Sequence, residues 1–250
     1  MSIYLNKRLY SIVFTIFISF FAVASLKTMA EVEKTSTQLK AETSQKMRES
    51  FPHLKNIELE ESSIPGVFQF WIGNNLNYVS FVNGHLFLGE LYDTNRKVFL
   101  AEEAKQQKTK EIIDDVKDSD TIIFANKKAQ RTINVFTDVD CYYCRELHKE
   151  INQLTDAGVK VRYIAYPAYK RDFKKHVSVW CSKDQQEAMT QAKTGKAVPE
   201  QVCEAPVQET FQLGVSLGFR GTPQIVYDDG TIVGGYRPAK QIIQELGLGK

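Results

Sequence analysis

Two cysteines, Cys141 and Cys144, are close enough in the sequence to react with each other or to bind one ligand together. They are separated by Tyr142 and Tyr143 in the segment FTDVDCYYCRELHKEI, residues 136–151. An apolar, strand-like stretch precedes the pair, and a sequence rich in helix formers follows it. A C-x-x-C spacing serves thiol redox exchange, a metal site or a short disulfide, and the surrounding elements decide between them.

The segments on both sides of the pair predict a strand–helix–strand unit. The strand-like runs TIIFA and RTINVFTDV come before the cysteines, and VKVRYIAYP follows them and stops at Pro167. The helix in between is expected to end near Gly158, because glycine is a favourable residue just after a helix. A strand, a helix of crossover length and a second strand predict a parallel pair.

Further helices and a hairpin complete this half of the chain. Helical periodicity occurs over residues 172–195 and 206–217, and the runs PQIVYDD and TIVGGY flank Gly230 before a final helix after Pro238. A βαβ half, additional helices and a ββα half form the element order of a thioredoxin fold. This order places Cys141 at a helix N-terminus, where the unpaired N–H groups and the helix dipole favour a thiolate.

Thiol chemistry then assigns different roles to the two cysteines. The thiolate is the form that attacks disulfides, so Cys141 is predicted to be an exposed nucleophile with a lowered pKa. Cys144 lies one turn later, shielded by the helix, and is predicted to be the resolving thiol.

Two other interpretations of the pair are a metal site and a structural disulfide. A zinc site would add Cys181 and Cys203, but these are 22 residues apart, and structural sites use two closely spaced pairs. His148 could add a ligand, although a helix-face histidine is more often a surface or packing residue. A structural Cys141–Cys144 disulfide would constrain little chain. Redox chemistry is favoured, with no metal and no cofactor, because C-x-x-C in a βαβ context is specific.

The N-terminus indicates an oxidising compartment. Lys7 and Arg8 precede an apolar run over residues 9–24, and small residues follow, which is the order of a secretory signal cleaved after Ala30 or Ala24. The alternative is a single membrane anchor, although this run is short for a spanning helix. Removing residues 1–30 takes away three cations and no acids and lowers the net charge from +2 to −1. Nothing in that balance favours binding to nucleic acid.

Four cysteines allow three pairings. If Cys141 and Cys144 form the redox pair, Cys181 pairs with Cys203 across a helical insertion. The alternative is that the latter two are buried free thiols, which is less expected in a secreted protein.

The region before residue 121 predicts a separate small domain and a connection. A charged helix over residues 35–50 is followed by alternating strands, with a hairpin turn at Asn83–Gly84. Residues 102–116 are polar helix formers, which predict an exposed connecting helix. The expected boundaries are a signal peptide at 1–30, an N-terminal domain at 31–100, a helical linker at 101–120 and a thioredoxin-like domain at 121–250.

The segment RGTPQIVYDDG holds a further site element. In a thioredoxin fold this loop lies opposite the C-x-x-C pair, and the Thr222–Pro223 bond is expected to be cis. The backbone of Thr222 would then lie beside Cys141 and pair with an extended substrate chain.

These motifs resemble the DsbC/DsbG family of periplasmic thiol:disulfide interchange proteins. The resemblance is strongest in FTDVDCYYCRELHKE, VRYIAYP, VWCSKDQQEAM, TGKAVPEQVC and LGVSLGFRGTPQIVYDDGTIVGGYRP, and it is weaker over residues 31–65. It implies an α+β, α/β architecture: a small cystatin-like N-terminal dimerisation domain, a helical linker and a thioredoxin-like domain with a helical insertion.

The resemblance also implies the activity, the site and the partners. These are a periplasmic homodimer that isomerises or reduces wrong disulfides in misoxidised or unfolded secreted proteins and is kept reduced by a DsbD-type membrane reductase. It makes Cys141 the nucleophile, Cys144 the resolving cysteine and Cys181–Cys203 the structural disulfide. Substrate contacts fall to four residues, Thr222, Pro223, Tyr142 and Tyr143.

Two positions differ from related proteins. Family isomerases typically carry Gly-Tyr where this chain has Tyr142–Tyr143, and this dipeptide tunes the redox potential. Thioredoxin itself has a buried carboxylate where this chain has Val135. The balance of activities is therefore open, and the alternatives are a dimeric holdase chaperone and a DsbA-like thiol oxidase.

Overall fold

The computed structural model describes residues 34–168 and 172–249. The predicted signal peptide, its cleavage points and the alternative membrane anchor lie outside these residues. Within them, no helix is both long and apolar enough to cross a bilayer. The chain forms two compact units. The first contains the described residues up to Phe68 together with Val79–Phe87, and the second contains Gln69–Tyr78 and the residues from Leu88 onward.

The N-terminal region begins with helix α1, Ser36–Ser50. Thr35 caps it: its hydroxyl accepts a hydrogen bond from the Gln38 N–H, and the Gln38 side chain accepts one from the Thr35 N–H. The strands that follow form a four-stranded sheet in the order β1-β2-β3-β4, with bounds Glu60–Glu61, Phe68–Ile72, Asn75–Val82 and His85–Gly89. Asn83 and Gly84 join β3 to β4 with positive φ angles of 51° and 81°, as the predicted hairpin turn requires.

Helix α2, Leu100–Asp114, corrects the expectation of an exposed connecting helix. It follows a short pair of strands, β5 (Tyr92–Asp93) and β6 (Val98–Phe99). One face of α2 is buried through Ala101, Thr109 and Ile113. The sequence does not reveal this face, because two of the contacts that α2 makes within the second unit are polar. The Asn74 amide donates to the Thr109 hydroxyl at 3.1 Å, and the Gln106 amide donates to the Thr231 hydroxyl at 2.9 Å.

A five-stranded mixed sheet forms the centre of the C-terminal part. Its order is β11-β10-β8-β9-β7, and the bounds from β7 to β11 are Ile122–Phe124, Arg131–Thr137, Val159–Ala165, Gln224–Tyr227 and Ile232–Gly234. Strands β8 and β9 are parallel, and β10 is antiparallel to both β8 and β11. The predicted βαβ unit and the closing hairpin are therefore confirmed. Gly158, with φ of +90°, makes the turn into β9.

Helices cover this sheet and bury its apolar side chains. Their bounds, from α3 to α8, are Tyr142–Lys149, Ile151–Asp156, Phe173–Trp180, Gln185–Lys193, Val207–Ser216 and Ala239–Glu245. The larger apolar core includes Val135, Leu147, Met189 and Ile242, each fully buried. A second cluster, around Phe136, contains Ile113 of α2. The insertion between β9 and β10 carries the Cys181–Cys203 disulfide, which joins the end of α5 to the segment after α6.

Candidate active site

Cys141 is the N-cap residue of α3, directly after the loop that follows β8. The first-turn N–H groups of α3 point towards this end of the helix, and the dipole places partial positive charge there. The side chain of Cys141 is partly exposed, whereas Cys144, one turn later, is only 1% exposed. The sequence predicts this contrast between a reachable and a shielded thiol.

Hydrogen bonds lower the pKa of Cys141 to about 5. The largest contribution comes from the side chain of Cys144, which stabilises the thiolate. Thr222 and the backbone N–H groups of Cys144 and Tyr143 add to it, while burial works in the opposite direction. Cys141 is consequently a thiolate at neutral pH.

Burial is the largest influence on Cys144 and raises its pKa well above the ordinary value for a thiol. Hydrogen bonding to Cys141 raises it further, while the charge of Lys193 and the hydroxyl of Thr137 lower it. The two thiols therefore differ in reactivity as well as in access, since the thiolate is the attacking form.

The loop before β10 completes the exposed surface around Cys141. Its Thr222–Pro223 peptide bond is cis, and the Cys141 thiol, when protonated, donates to the Thr222 carbonyl oxygen at 3.3 Å. Tyr142 and Tyr143 are 66% and 57% exposed, and their rings meet edge to face with centroids 5.3 Å apart. An extended chain that reached Cys141 would meet both a free backbone edge and an aromatic surface.

Comparison with known protein families shows which family this chain belongs to. Residues 118–250 match the family described as a thioredoxin-like domain, and residues 34–102 match the one described as the disulfide bond isomerase protein N-terminal domain. The thiol:disulfide interchange protein DsbC of Dickeya dadantii is 34% identical over 196 residues, which cover 77% of this chain and 81% of that protein. The chain belongs to the DsbC family. It is a thiol:disulfide interchange enzyme with a disulfide isomerase's N-terminal domain and a thioredoxin-like domain, so the predicted family, fold class and activity are confirmed.

Another member of the DsbC family matches over a longer span than the Dickeya dadantii protein does. The DsbC protein of Haemophilus influenzae is 29% identical over 236 residues, covering 92% of this chain and 96% of its own length. Among solved structures, a disulfide interchange protein from Neisseria gonorrhoeae is 30% identical, with a TM-score of 0.47, and covers 52% of this chain and 97% of its own.

In this DsbC-family chain, Cys181, Cys203 and His148 make contacts that stabilise the fold. Cys181 and Cys203 are bonded to each other, which removes two of the ligands that a four-cysteine zinc site would need. His148 is buried, with its Nδ1 3.1 Å from the Tyr163 hydroxyl and its Nε2 3.2 Å from that of Thr190. Since Thr190 already donates to a backbone carbonyl, Nε2 of His148 is the donor and Nδ1 the acceptor. These contacts support the packing interpretation of His148.

Lys193 is a residue of the site that the sequence analysis missed. It is the last residue of α6 and only 3% exposed. Its Nζ donates to the Thr137 hydroxyl at 2.6 Å and to the Asp138 carbonyl oxygen at 2.8 Å, directly behind the cysteine pair. The signal was present in the spacing: Met189 and Ala192 are apolar, and position 193 lies on the same helix face, four residues after Met189.

Proposed function

We propose that the DsbC-family activity of this chain runs through Cys141 as the nucleophile and Cys144 as the resolving thiol. The Cys141 thiolate attacks one sulfur of a wrong disulfide, forms a mixed disulfide with it and releases the other substrate sulfur as a thiolate. In isomerisation, a substrate thiolate attacks the mixed disulfide, forms a new substrate disulfide and frees Cys141. In reduction, Cys144 attacks Cys141, and the substrate leaves as a dithiol.

The observation that carries this assignment is the opposite character of the two thiols. Cys141 is partly exposed with a pKa of about 5, whereas Cys144 is 1% exposed with a raised pKa. A thiolate that is easily reached attacks first, and a shielded thiol acts only within the complex. Thr222, Pro223 and the two exposed tyrosines form the substrate-binding surface around the nucleophile.

Reactivation of scrambled ribonuclease tests this assignment and separates it from the holdase alternative. Cys141→Ala should abolish reactivation, because no mixed disulfide can form. Cys144→Ala should retain a substantial part of it, because substrate thiols can still resolve the mixed disulfide. Equal reactivation by the parent and by Cys141→Ala would favour a chaperone without thiol chemistry and would overturn the proposal.

The same proposal places the mature chain in the periplasm, on the basis of the predicted signal sequence and the family. There it acts on misoxidised or unfolded secreted proteins and is kept reduced by a DsbD-type membrane reductase. The redox state of Cys141 and Cys144 in the cell, measured by thiol trapping, distinguishes this role from oxidation. A mostly reduced pair supports an isomerase or reductase, and a mostly oxidised pair supports a DsbA-like oxidase.

The proposal also includes a homodimer formed through the N-terminal domain. Strand β4 is at one edge of the four-stranded sheet, and its side chains Phe87 and Leu88 are 57% and 45% exposed. An apolar edge strand in a soluble protein needs cover, because it otherwise pairs with other chains. A second copy on this edge supplies that cover and brings two Cys141 sites into one assembly.

A further inference from the structure

The ammonium group of Lys193 lies in the interior of the C-terminal part of the chain. Both of its observed acceptors, the Thr137 hydroxyl and the Asp138 carbonyl oxygen, are neutral. Thr137 and Asp138 are themselves fully buried. A buried cation with neutral acceptors is costly, because it loses its hydration without gaining an anion through these bonds. Burial lowers the pKa of Lys193, and the anions that oppose this shift are the thiolates of Cys144 and Cys141 and the carboxylate of Asp138.

Of these anions, the thiolate of Cys144 raises the pKa of Lys193 most, and Thr137 connects the two groups. Thr137 is the last residue of β8, and its hydroxyl lowers the pKa of Cys144, which favours the thiolate. Because the Thr137 oxygen accepts a hydrogen bond from Lys193, its own proton is free to point at the Cys144 sulfur. Lys193, Thr137 and Cys144 thus form a buried chain in which the cation orients the hydroxyl and its charge favours the anion.

The resolving step creates the need for such a group. Once Cys141 is in a mixed disulfide it carries no charge, and attack requires a thiolate on Cys144. Burial opposes that thiolate, since the interior disfavours a lone charge. The buried position occupied by a carboxylate in thioredoxin is the apolar Val135 here, so the charge at this site comes from α6 instead.

We propose that Lys193 is a positioning residue for the resolving step, acting through Thr137 to stabilise the Cys144 thiolate in the mixed disulfide. This rests on the proposed roles of Cys141 and Cys144. Cys144 loses its proton to water and attacks the sulfur of Cys141, so that the Cys141–Cys144 bond forms and the Cys141–substrate bond breaks. The substrate sulfur leaves as a thiolate and takes up a proton. The protein dithiol is oxidised by two electrons, and the substrate disulfide is reduced by two. Lys193 thereby increases the share of mixed disulfides that are resolved by Cys144 (reduction) and not by a substrate thiol (isomerisation).

Other ionisable groups surround Lys193 and Cys144, and three of them are neutral in the pH range that matters here. Those that face Lys193 or Cys144 are Cys141, Asp138, Arg145, His148, Tyr163 and His176. Burial, with the charge of Lys193, lowers the pKa of His148 to about 4, and burial also lowers the pKa of His176. Burial raises the pKa of Tyr163 far above its usual range. His148, His176 and Tyr163 are therefore neutral from about neutral pH upward, through the range in which a thiol titrates.

The two steps separate in the reaction of the reduced protein with an aromatic disulfide, 5,5′-dithiobis(2-nitrobenzoate). The first thionitrobenzoate is released when Cys141 attacks, and the second when Cys144 resolves the mixed disulfide. In Lys193→Met, the second phase should slow at least about tenfold at neutral pH, and its pH midpoint should rise by about one unit or more. The first phase should stay within about threefold of the parent, a change of less than half a pKa unit.

Two further variants separate charge from structure. Lys193→Gln keeps a side-chain N–H donor for Thr137 but removes the charge, so its second-phase midpoint should also rise. Lys196→Met removes the same charge at an exposed position three residues away and should behave like the parent. The midpoint is the decisive readout, because a loosened fold would change rates without selectively moving the titration of Cys144.

An unchanged second-phase midpoint in Lys193→Gln overturns the inference, whether or not Lys193→Met folds. A midpoint that moves equally in Lys196→Met overturns it too, because the effect would then be one of general charge. Failure of the underlying roles is visible separately. If Cys141→Ala still shows the first phase, the assignment of the nucleophile is wrong, and this result does not depend on Lys193.

Discussion

The contribution of Cys144 to the reactivity of Cys141 can be tested by removing one side chain. The pKa of Cys141 is lowered to about 5, and the largest cause is the hydrogen bond from the Cys144 side chain. Cys144→Ala deletes that donor and leaves the N-terminus of α3, the backbone N–H groups and Thr222 in place. The pKa of Cys141 should therefore rise part of the way towards its ordinary value of 9.0.

The size of the rise follows from the strength of the lost bond. A hydrogen bond to a charged group contributes about 1.5–3 kcal/mol, and one pKa unit corresponds to about 1.4 kcal/mol. Loss of the Cys144 donor should thus raise the pKa of Cys141 by about one to two units, to about 6–7. At pH 6 the thiolate fraction falls from about nine-tenths to between about half and one-tenth.

The assay is the ultraviolet absorbance of the thiolate against pH, with the Cys181–Cys203 disulfide intact. A rate at one pH would mislead, because the thiolate becomes a stronger nucleophile as its pKa rises, with a Brønsted coefficient of about 0.4–0.5. Cys144→Ser is the matched control, since it keeps a hydroxyl donor at that position and should titrate closer to the parent. A parent midpoint near the ordinary value, or an unchanged midpoint in Cys144→Ala, would refute the reasoning.

Two more predictions concern the architecture that holds the site. Phe87→Glu places a charge on the exposed edge strand and should convert the homodimer into a monomer by light scattering, with loss of isomerase activity; Val202→Glu, at an 86% exposed position, should remain dimeric. A dimer in both variants would rule out this edge as the interface. Gly230→Ala should destabilise the fold by about 2–4 kcal/mol in urea unfolding, because its φ is +88° and an added Cβ would overlap the Gln106 carbonyl of α2. Gly235→Ala shares the positive φ but meets no atom within 4 Å, so it should cost only about 1–2 kcal/mol; equal losses would show that α2 does not pack on this turn.

Local signals predicted most of the elements correctly. The Asn83–Gly84 turn and the glycine before β9 need positive φ, and these residue types adopt it with little strain. The C-x-x-C pair was equally readable, since a strand, two thiols and a helix are contiguous in the sequence. Such features are decided within a few residues, so they can be recognised before the tertiary structure is known.

The buried face of helix α2 could not be predicted from such local signals. Its sequence is mostly polar, which by composition predicts an exposed helix. Two of its contacts are amide–hydroxyl hydrogen bonds, Asn74 to Thr109 and Gln106 to Thr231, whose partners lie 35 and 125 residues apart. Hydrophobic periodicity does not report such contacts, because it measures only the apolar part of a buried face.

Lys193 was missed for a related reason, and the reason bears on how the site works. Lysine is rarely buried, so a lysine on the apolar face of α6 is naturally assigned to solvent. Thioredoxin has its buried carboxylate at the position of Val135, which is uncharged here. The buried charge of this chain is the ammonium of Lys193, which lies 58 residues later on an inserted helix. The two arrangements also differ in chemistry. A carboxylate can accept the proton of the resolving thiol and is neutral once it has done so, but while it is ionised its charge opposes the thiolate. An ammonium cannot accept that proton, but its charge stabilises the thiolate during the attack. Lys193 therefore acts on the same step as the carboxylate of thioredoxin, but with the opposite charge and from a different helix. It stabilises the Cys144 thiolate and does not remove the proton of the thiol.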